Sequence, residues 1–118
     1  MKVSFILPAY DEAKGVQETL KQFAQLRRID HEVIVSDNGS TDNTVVLARA
    51  AGAKVVVRPS DTRTSIGECR NRGARAAVGG LLWFIDADVR IVDIEATVQE
   101  VQAYFSDHPP VVAATMRI

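Results

Sequence analysis

Leu81-Leu82-Trp83-Phe84-Ile85-Asp86-Ala87-Asp88 is the stretch on which the reading of this chain turns. Five bulky apolar residues followed by two carboxylates have the pattern of a central parallel strand, buried on both faces, that stops abruptly in charge at the edge of the sheet. If the extended backbone persists past Ile85, Asp86 and Asp88 project to the same side, and two hard oxygen ligands so placed can hold a divalent cation. The remaining positions on such a cation would go to phosphate oxygens. Acids also end strands simply because loops are solvated, so the pair taken alone leaves both readings open.

Working outward from this stretch, Ile66 to Val78 reads as a helix crowded with Gly and Ala and closed by Gly79-Gly80. Before it, Lys54-Val55-Val56-Val57-Arg58 reads as a strand, and Pro59 to Ser65 as a polar loop. Glu32-Val33-Ile34-Val35 repeats the strand signal. Asp37-Asn38-Gly39-Ser40-Thr41-Asp42 follows it, with Gly39 suited to a tight turn and Ser40, Thr41 and Asp42 all good caps for a helix over Thr44 to Ala51, closed by Gly52. At the N-terminus, Lys2 to Leu7 predicts a first strand stopping at Pro8. Val16, Leu20, Phe23 and Ala24 then predict a helix ending around Arg27-Arg28. Downstream, Asp93 can cap a helix with Ile94, Val98, Val101 and Phe105 on one stripe. Pro109-Pro110 separates it from Val111 to Ile118, read as a fifth strand. Strands alternating with helices predict an α/β fold, a Rossmann-like parallel sheet flanked by helices with right-handed crossovers. In such folds ligands bind beyond the carboxyl ends of the strands, where strand order reverses.

The chain has 118 residues, enough for one domain over 1–118. It is 47% hydrophobic and 25% charged with a formal charge of -1, so it lacks the basic excess of a nucleic-acid surface. No apolar run approaches the ~20 residues of a membrane span, and the N-terminus has no signal-peptide layout. The expected location is the cytoplasm, with peripheral attachment at the inner membrane face as a variant. Cys69 is the only cysteine, which excludes an intrachain disulfide and reads as a small buried thiol.

The polar clusters follow the strands. Tyr10-Asp11-Glu12 comes after the first, Asp37-Asn38 after the second, Arg58 ends the third, and Asp86-Ala87-Asp88 ends the fourth, so all four belong to one rim. Asp37 can accept from a nucleobase N–H, and Asn38 can donate and accept. The same Asp-Asn-Gly run is also what a simple Asx turn requires. At ~100° per residue the third helix places Ile66, Cys69, Arg70, Gly73 and Ala77 on its buried stripe and leaves Arg72 and Arg75 outside. Arg70 on that stripe calls for an anion, either a phosphate or one of the rim acids. Together these groups describe a nucleoside-diphosphate pocket with a cation site. No Gly-rich phosphate loop is present, which disfavours nicotinamide cofactors and ATP-driven phosphoryl transfer. A metal-bridged diphosphate suits a leaving group displaced from a sugar carbon.

Four motifs, Val3 to Glu12, Val35 to Thr44, Cys69-Arg70-Asn71-Arg72-Gly73 and Phe84 to Asp88, resemble in order and spacing the nucleotide-sugar half of family 2 glycosyltransferases of the GT-A fold. The resemblance implies that Pro8, Tyr10 and Glu12 line the nucleoside pocket and that Asp37 contacts the base, with Asn38 where many members have a second aspartate. It further implies that Asp86 and Ala87 touch the ribose, that Asp88, with Asp86 beside it, ligates Mg²⁺ or Mn²⁺, and that Arg70 lies near base and diphosphate. Members are inverting enzymes in which a carboxylate from the second half deprotonates the acceptor. The expected partners are therefore a UDP- or GDP-sugar and an acceptor that is a glycan, lipid or protein. The general base is expected beyond Ile118, so the chain alone reads as a truncated donor-binding half without turnover. The Val111 to Thr115 edge is free to pair with a second copy. The alternative is a non-catalytic nucleotide-sugar binding module or an inactive fragment lacking the acceptor half. A phospho-receiver domain would need an acid pair directly after the first strand. A sugar-nucleotide pyrophosphorylase would need a Gly-rich loop there. This chain has Pro8-Ala9 instead.

Overall fold

A computed structural model describes residues 1–59 and 64–109. Four strands alternate with four α-helices: β1 (Val3–Ala9), α1 (Val16–Lys21), β2 (His31–Asp37), α2 (Thr44–Ala50), β3 (Lys54–Val57), α3 (Ile66–Ala76), β4 (Leu81–Phe84) and α4 (Ile94–Asp107). The strands are all parallel in the order β3-β2-β1-β4. Strand order reverses between β1 and β4, and every strand's carboxyl end lies at the same rim. The expected fifth strand, Val111 to Ile118, and its edge lie outside the described residues.

Side-chain alternation sorts the two faces. Val3, Phe5 and Leu7 point to the side covered by Val16, Leu20, Phe23, Ile94 and Val98, all buried. Phe5 packs, with tilted rings, between Phe23, at 4.8 Å between ring centroids, and Trp83, at 5.6 Å. Each such side chain contributes about 1.5–3 kcal/mol by burial. On the opposite face α3 lies so close that a Cβ on Gly73 would sit 2.6 Å from Ile6 Cγ2 and 3.3 Å from Ser36 Cβ. Only a residue without a side chain fits there.

Four expectations are corrected. First, β1 runs through Pro8 to Ala9 instead of stopping at Pro8. Leu81 N–H donates to Lys2 O and Ile85 N–H to Ile6 O, so even-numbered residues of β1 face β4. The β4 ladder is finished by Pro8, and its missing N–H removes no bond. Second, β4 is the edge of the described sheet, and one of its faces is open, with Leu82 41% and Phe84 45% exposed. A run of apolar residues does not say which neighbours will cover it. Third, the helix after β1 is one short α-helix that tightens into a 3-10 turn, Gln22–Gln25, where the Gln22 side chain is diverted to other backbone groups. Fourth, the backbone does not stay extended through Asp88. Ile85 makes the last ladder bond, and Val89 N–H closes a turn onto Asp86 O at 3.1 Å.

The candidate nucleotide and metal rim

The loops after β1 and β2 are stitched together. Asp11, held at φ 50°, donates its N–H to Ser40 Oγ at 2.8 Å and accepts from Thr41 N–H at 2.7 Å. Glu12 N–H donates to Thr44 Oγ1 at 2.8 Å, and Ala13 N–H to Asp42 Oδ2 at 3.2 Å. Asp42 in turn accepts from Thr44 N–H at 3.0 Å, so the side chain that opens α2 also fixes the loop that follows β1. Tyr10 is half-buried in that loop, and Pro8 is buried just before it.

Asp37 is 1% exposed, and its carboxylate closes the turn. Oδ2 accepts from Gly39 N–H at 3.0 Å and Ser40 N–H at 2.9 Å, while Oδ1 accepts from Ser40 Oγ at 2.6 Å. Gly39 has φ 92°, and the Arg58 guanidinium lies over its Cα. Asn38, also buried, turns away from this loop. Its Nδ2 donates to Thr64 O at 2.7 Å, and its Oδ1 accepts from Thr64 N–H at 3.2 Å and Thr64 Oγ1 at 2.9 Å.

Across the reversal point, Asp86 and Asp88 are exposed and flank buried Ala87. Arg70 reaches Asp86 with Nη2–Oδ1 at 3.3 Å, so the sheet's own acid meets this guanidinium. Burial, then the neighbouring charges of Asp88, Asp42 and Asp86, raises the Glu12 carboxyl above its ordinary value. The acids that follow β1, β2 and β4 thus feel one another. Mutual repulsion of this kind is relieved by a cation. Among the described residues no three Asp, Glu, His or Cys side chains gather closely enough to cage one unaided. Asp86 and Asp88 sit on a turn and not on one extended edge, so an ion held by both would need further oxygens from a ligand.

The expected stripe on α3 is corrected. Cys69, Arg72 and Gly73 are the buried residues, whereas Arg70 is half-exposed and Ile66 is 56% exposed. The close approach of Gly73 to β1 sets the helix rotation, and that contact cannot be seen in the helix's own periodicity. Cys69 is the expected buried thiol, its Sγ donating to Ser36 O at 3.1 Å. Three further residues shape the rim without having stood out in the sequence. Thr64 holds Asn38, and Arg72 in turn donates Nη2–H to Thr64 Oγ1 at 3.1 Å. Gln22 donates Nε2–H to Val89 O at 2.9 Å and accepts from Ile91 N–H at 2.9 Å, steadying the segment just after Asp88. A polar residue that is buried on a short helix is the one hint of Gln22's role.

The Glycosyl transferase family 2 model matches residues 4–118. Glucosyl-3-phosphoglycerate synthase of Mycolicibacterium smegmatis is 39% identical over 95 residues, covering 74% of this chain and 31% of the relative. The crystal structure of the Mycobacterium tuberculosis glucosyl-3-phosphoglycerate synthase with Mn²⁺, UDP and glucosyl-3-phosphoglycerate superposes with TM-score 0.64 at 34% identity, over 73% of this chain and 33% of that one. S. aureus TarS superposes with TM-score 0.76 at 29% identity, over 92% of this chain and 20% of its own. The chain spans about a third or less of the length of each of these proteins.

Proposed function

The chain belongs to glycosyl transferase family 2, and on that premise we propose that it binds the UDP-sugar donor of an inverting, metal-assisted glycosyl transfer. The observation that carries the reading is convergence. The segments carrying Pro8, Tyr10 and Glu12, Asp37 and Asn38, and Asp86 to Asp88 all leave the carboxyl ends of parallel strands on either side of the order reversal, and Arg70 reaches Asp86 from α3. The choice of UDP is supported by the UDP-bound relatives. Among the described residues the turn takes three of the roughly four lone-pair positions of the Asp37 carboxylate, and we assign the fourth, on Oδ1, to a base N–H. Pro8, Tyr10 and Glu12 wall the nucleoside, Asn38 ties the residue beside the turn to Thr64, and Asp86 and Ala87 meet the ribose. Arg70, already drawn towards Asp86, is placed to share its guanidinium with the diphosphate.

Asp88, with Asp86, would hold Mn²⁺ or Mg²⁺, whose chemistry there is to stabilise charge on the departing diphosphate. Among the described residues no helix is long and apolar enough to cross a membrane. We assign a hydroxyl-bearing glycan, lipid or protein as the acceptor.

Titrating the chain with UDP and GDP, with and without Mn²⁺ or Mg²⁺, tests the reading. UDP should bind, and bind more tightly with metal; Asp88→Ala should retain metal-free binding and lose the metal's enhancement. If neither nucleotide responds to metal, the proposal fails.

A further inference from the structure

Asn38 makes as many side-chain hydrogen bonds as Asp37, three, but its connections lead into the protein. It meets Thr64 through three hydrogen bonds, pairing its amide with Thr64's backbone as one strand pairs with the next. Because Thr64 O faces Asn38 Nδ2 at 2.7 Å, a carboxylate there would set two acceptors against each other in a site only 6% exposed. Thr64's hydroxyl hydrogen is committed to Asn38 Oδ1, so its oxygen is left as an acceptor, and Arg72 Nη2 donates to it at 3.1 Å. Arg72 is 8% exposed in the middle of α3, and its Nη1 has no hydrogen-bond partner among the described residues. A guanidinium held in so dry a place polarises the hydroxyl it touches and strengthens the next bond in line.

This relay joins the two ends of the rim. Asn38 is adjacent to Asp37, whose carboxylate shapes the turn proposed to meet the base. Thr64 precedes Ser65, whose Oγ accepts from Glu68 N–H at 3.1 Å and starts α3, the helix that aims Arg70 at Asp86. We infer that Arg72, Thr64 and Asn38 form a positioning relay that sets the spacing between the base-binding turn and the diphosphate-facing arginine. On this view Thr64 and Arg72 are positioning residues for nucleotide binding that touch no substrate. The inference rests on the nucleotide reading above.

Thr64→Val keeps the shape and removes the hydroxyl, while Thr64→Ser keeps the hydroxyl. UDP affinity in the presence of Mn²⁺ should fall about three- to tenfold in Thr64→Val and stay near the parent value in Thr64→Ser. Arg72→Met should weaken UDP by a similar factor and add little in the Thr64→Val background, since one relay is broken only once. Amide exchange of Gly39 and Ser40 in the ligand-free chain should quicken in Thr64→Val and not in Thr64→Ser. A merely structural role would lower the melting temperature of both variants and leave the affinity of the folded protein unchanged. Unaltered UDP affinity in Thr64→Val, or equal losses in Val and Ser, overturns the relay. If the parent chain binds no nucleotide, the underlying reading fails instead, and the exchange rates alone decide: unchanged rates in Thr64→Val sink the relay as well.

Discussion

At the scale of single residues, the rim depends on backbone conformations that only particular side chains permit. Gly39 combines φ 92° with an arginine lying over it; a Cβ there would fall 2.1 Å from Arg58 Nη2. The guanidinium can swing aside, but the backbone cannot relax without undoing the two N–H bonds to Asp37. Gly39→Ala should therefore cost about 1–3 kcal/mol in denaturant unfolding, and most of that loss should persist in Gly39→Ala/Arg58→Ala. Full recovery in the double variant would mean that the clash, not the backbone, is the constraint. The Asp-Asn-Gly run was legible as a turn because these residue types favour it locally. Its long-range partner was not, since nothing in the spacing of Asn38 and Thr64 says that they meet. Gln22 shows the same limit. Its amide steadies Val89 and Ile91 across a gap of 67 and 69 residues, and Gln22→Leu should weaken the metal's enhancement of UDP binding severalfold while leaving metal-free binding intact. An unchanged metal response in calorimetry would remove Gln22 from the site.

At the scale of elements, α3 was readable as a helix and misread in its rotation. Periodicity fixes which residues share a stripe, but the direction that stripe faces depends on the closest contact with the sheet. Here Gly73 on Ile6 turns Arg72 inward and Arg70 towards the rim. The same contact makes a prediction. Alanine at position 73 gains about 1 kcal/mol of helix propensity but forces a methyl into fully buried Ile6, an overpacking cost of about 1–3 kcal/mol. Gly73→Ala should be net destabilising and should couple with Ile6→Ala in a double-mutant cycle. Simple additivity would show that the helix shifts freely. β4 teaches the complementary lesson. Its type and its termination in acid were plain, whereas its place at the edge of the described sheet was not, because burial on two faces is supplied by neighbours and not by the run itself.

For the molecule as a whole, the two ends of the sheet carry separate tasks. At the amino ends of the strands Glu32 Oε1 accepts from Ser4 Oγ at 2.6 Å and from Val78 N–H at 2.7 Å, and Ser4 Oγ accepts from Gly79 N–H at 2.8 Å. This clamp ties the connection between α3 and β4 to β1 and β2, far from the acids of the rim. Burial is the largest single influence on Glu32 and acts to raise its pKa. The bonds from Ser4 and Val78, with the charges of Lys2 and Lys54, outweigh it and leave the carboxyl below its ordinary 4.5. A carboxyl with a depressed folded pKa stabilises the fold above the unfolded value, and that contribution is lost as pH falls through the lower folded value. Melting temperature should accordingly hold between pH 7 and 5 and drop below about 4.5. Glu32→Gln should melt lower at pH 7 and fall less steeply in acid. If it falls as steeply as the parent, the acid sensitivity belongs to other carboxylates held below their ordinary value, such as Asp42, where the Thr44 hydroxyl is the main cause. Because the clamp and the rim sit at opposite ends of the same strands, Glu32→Gln should leave metal-dependent UDP binding near its parent value below the melting range. Asp88→Ala should do the reverse, and a Glu32 variant that stays folded yet loses the nucleotide would mean that the two ends of the sheet are not independent.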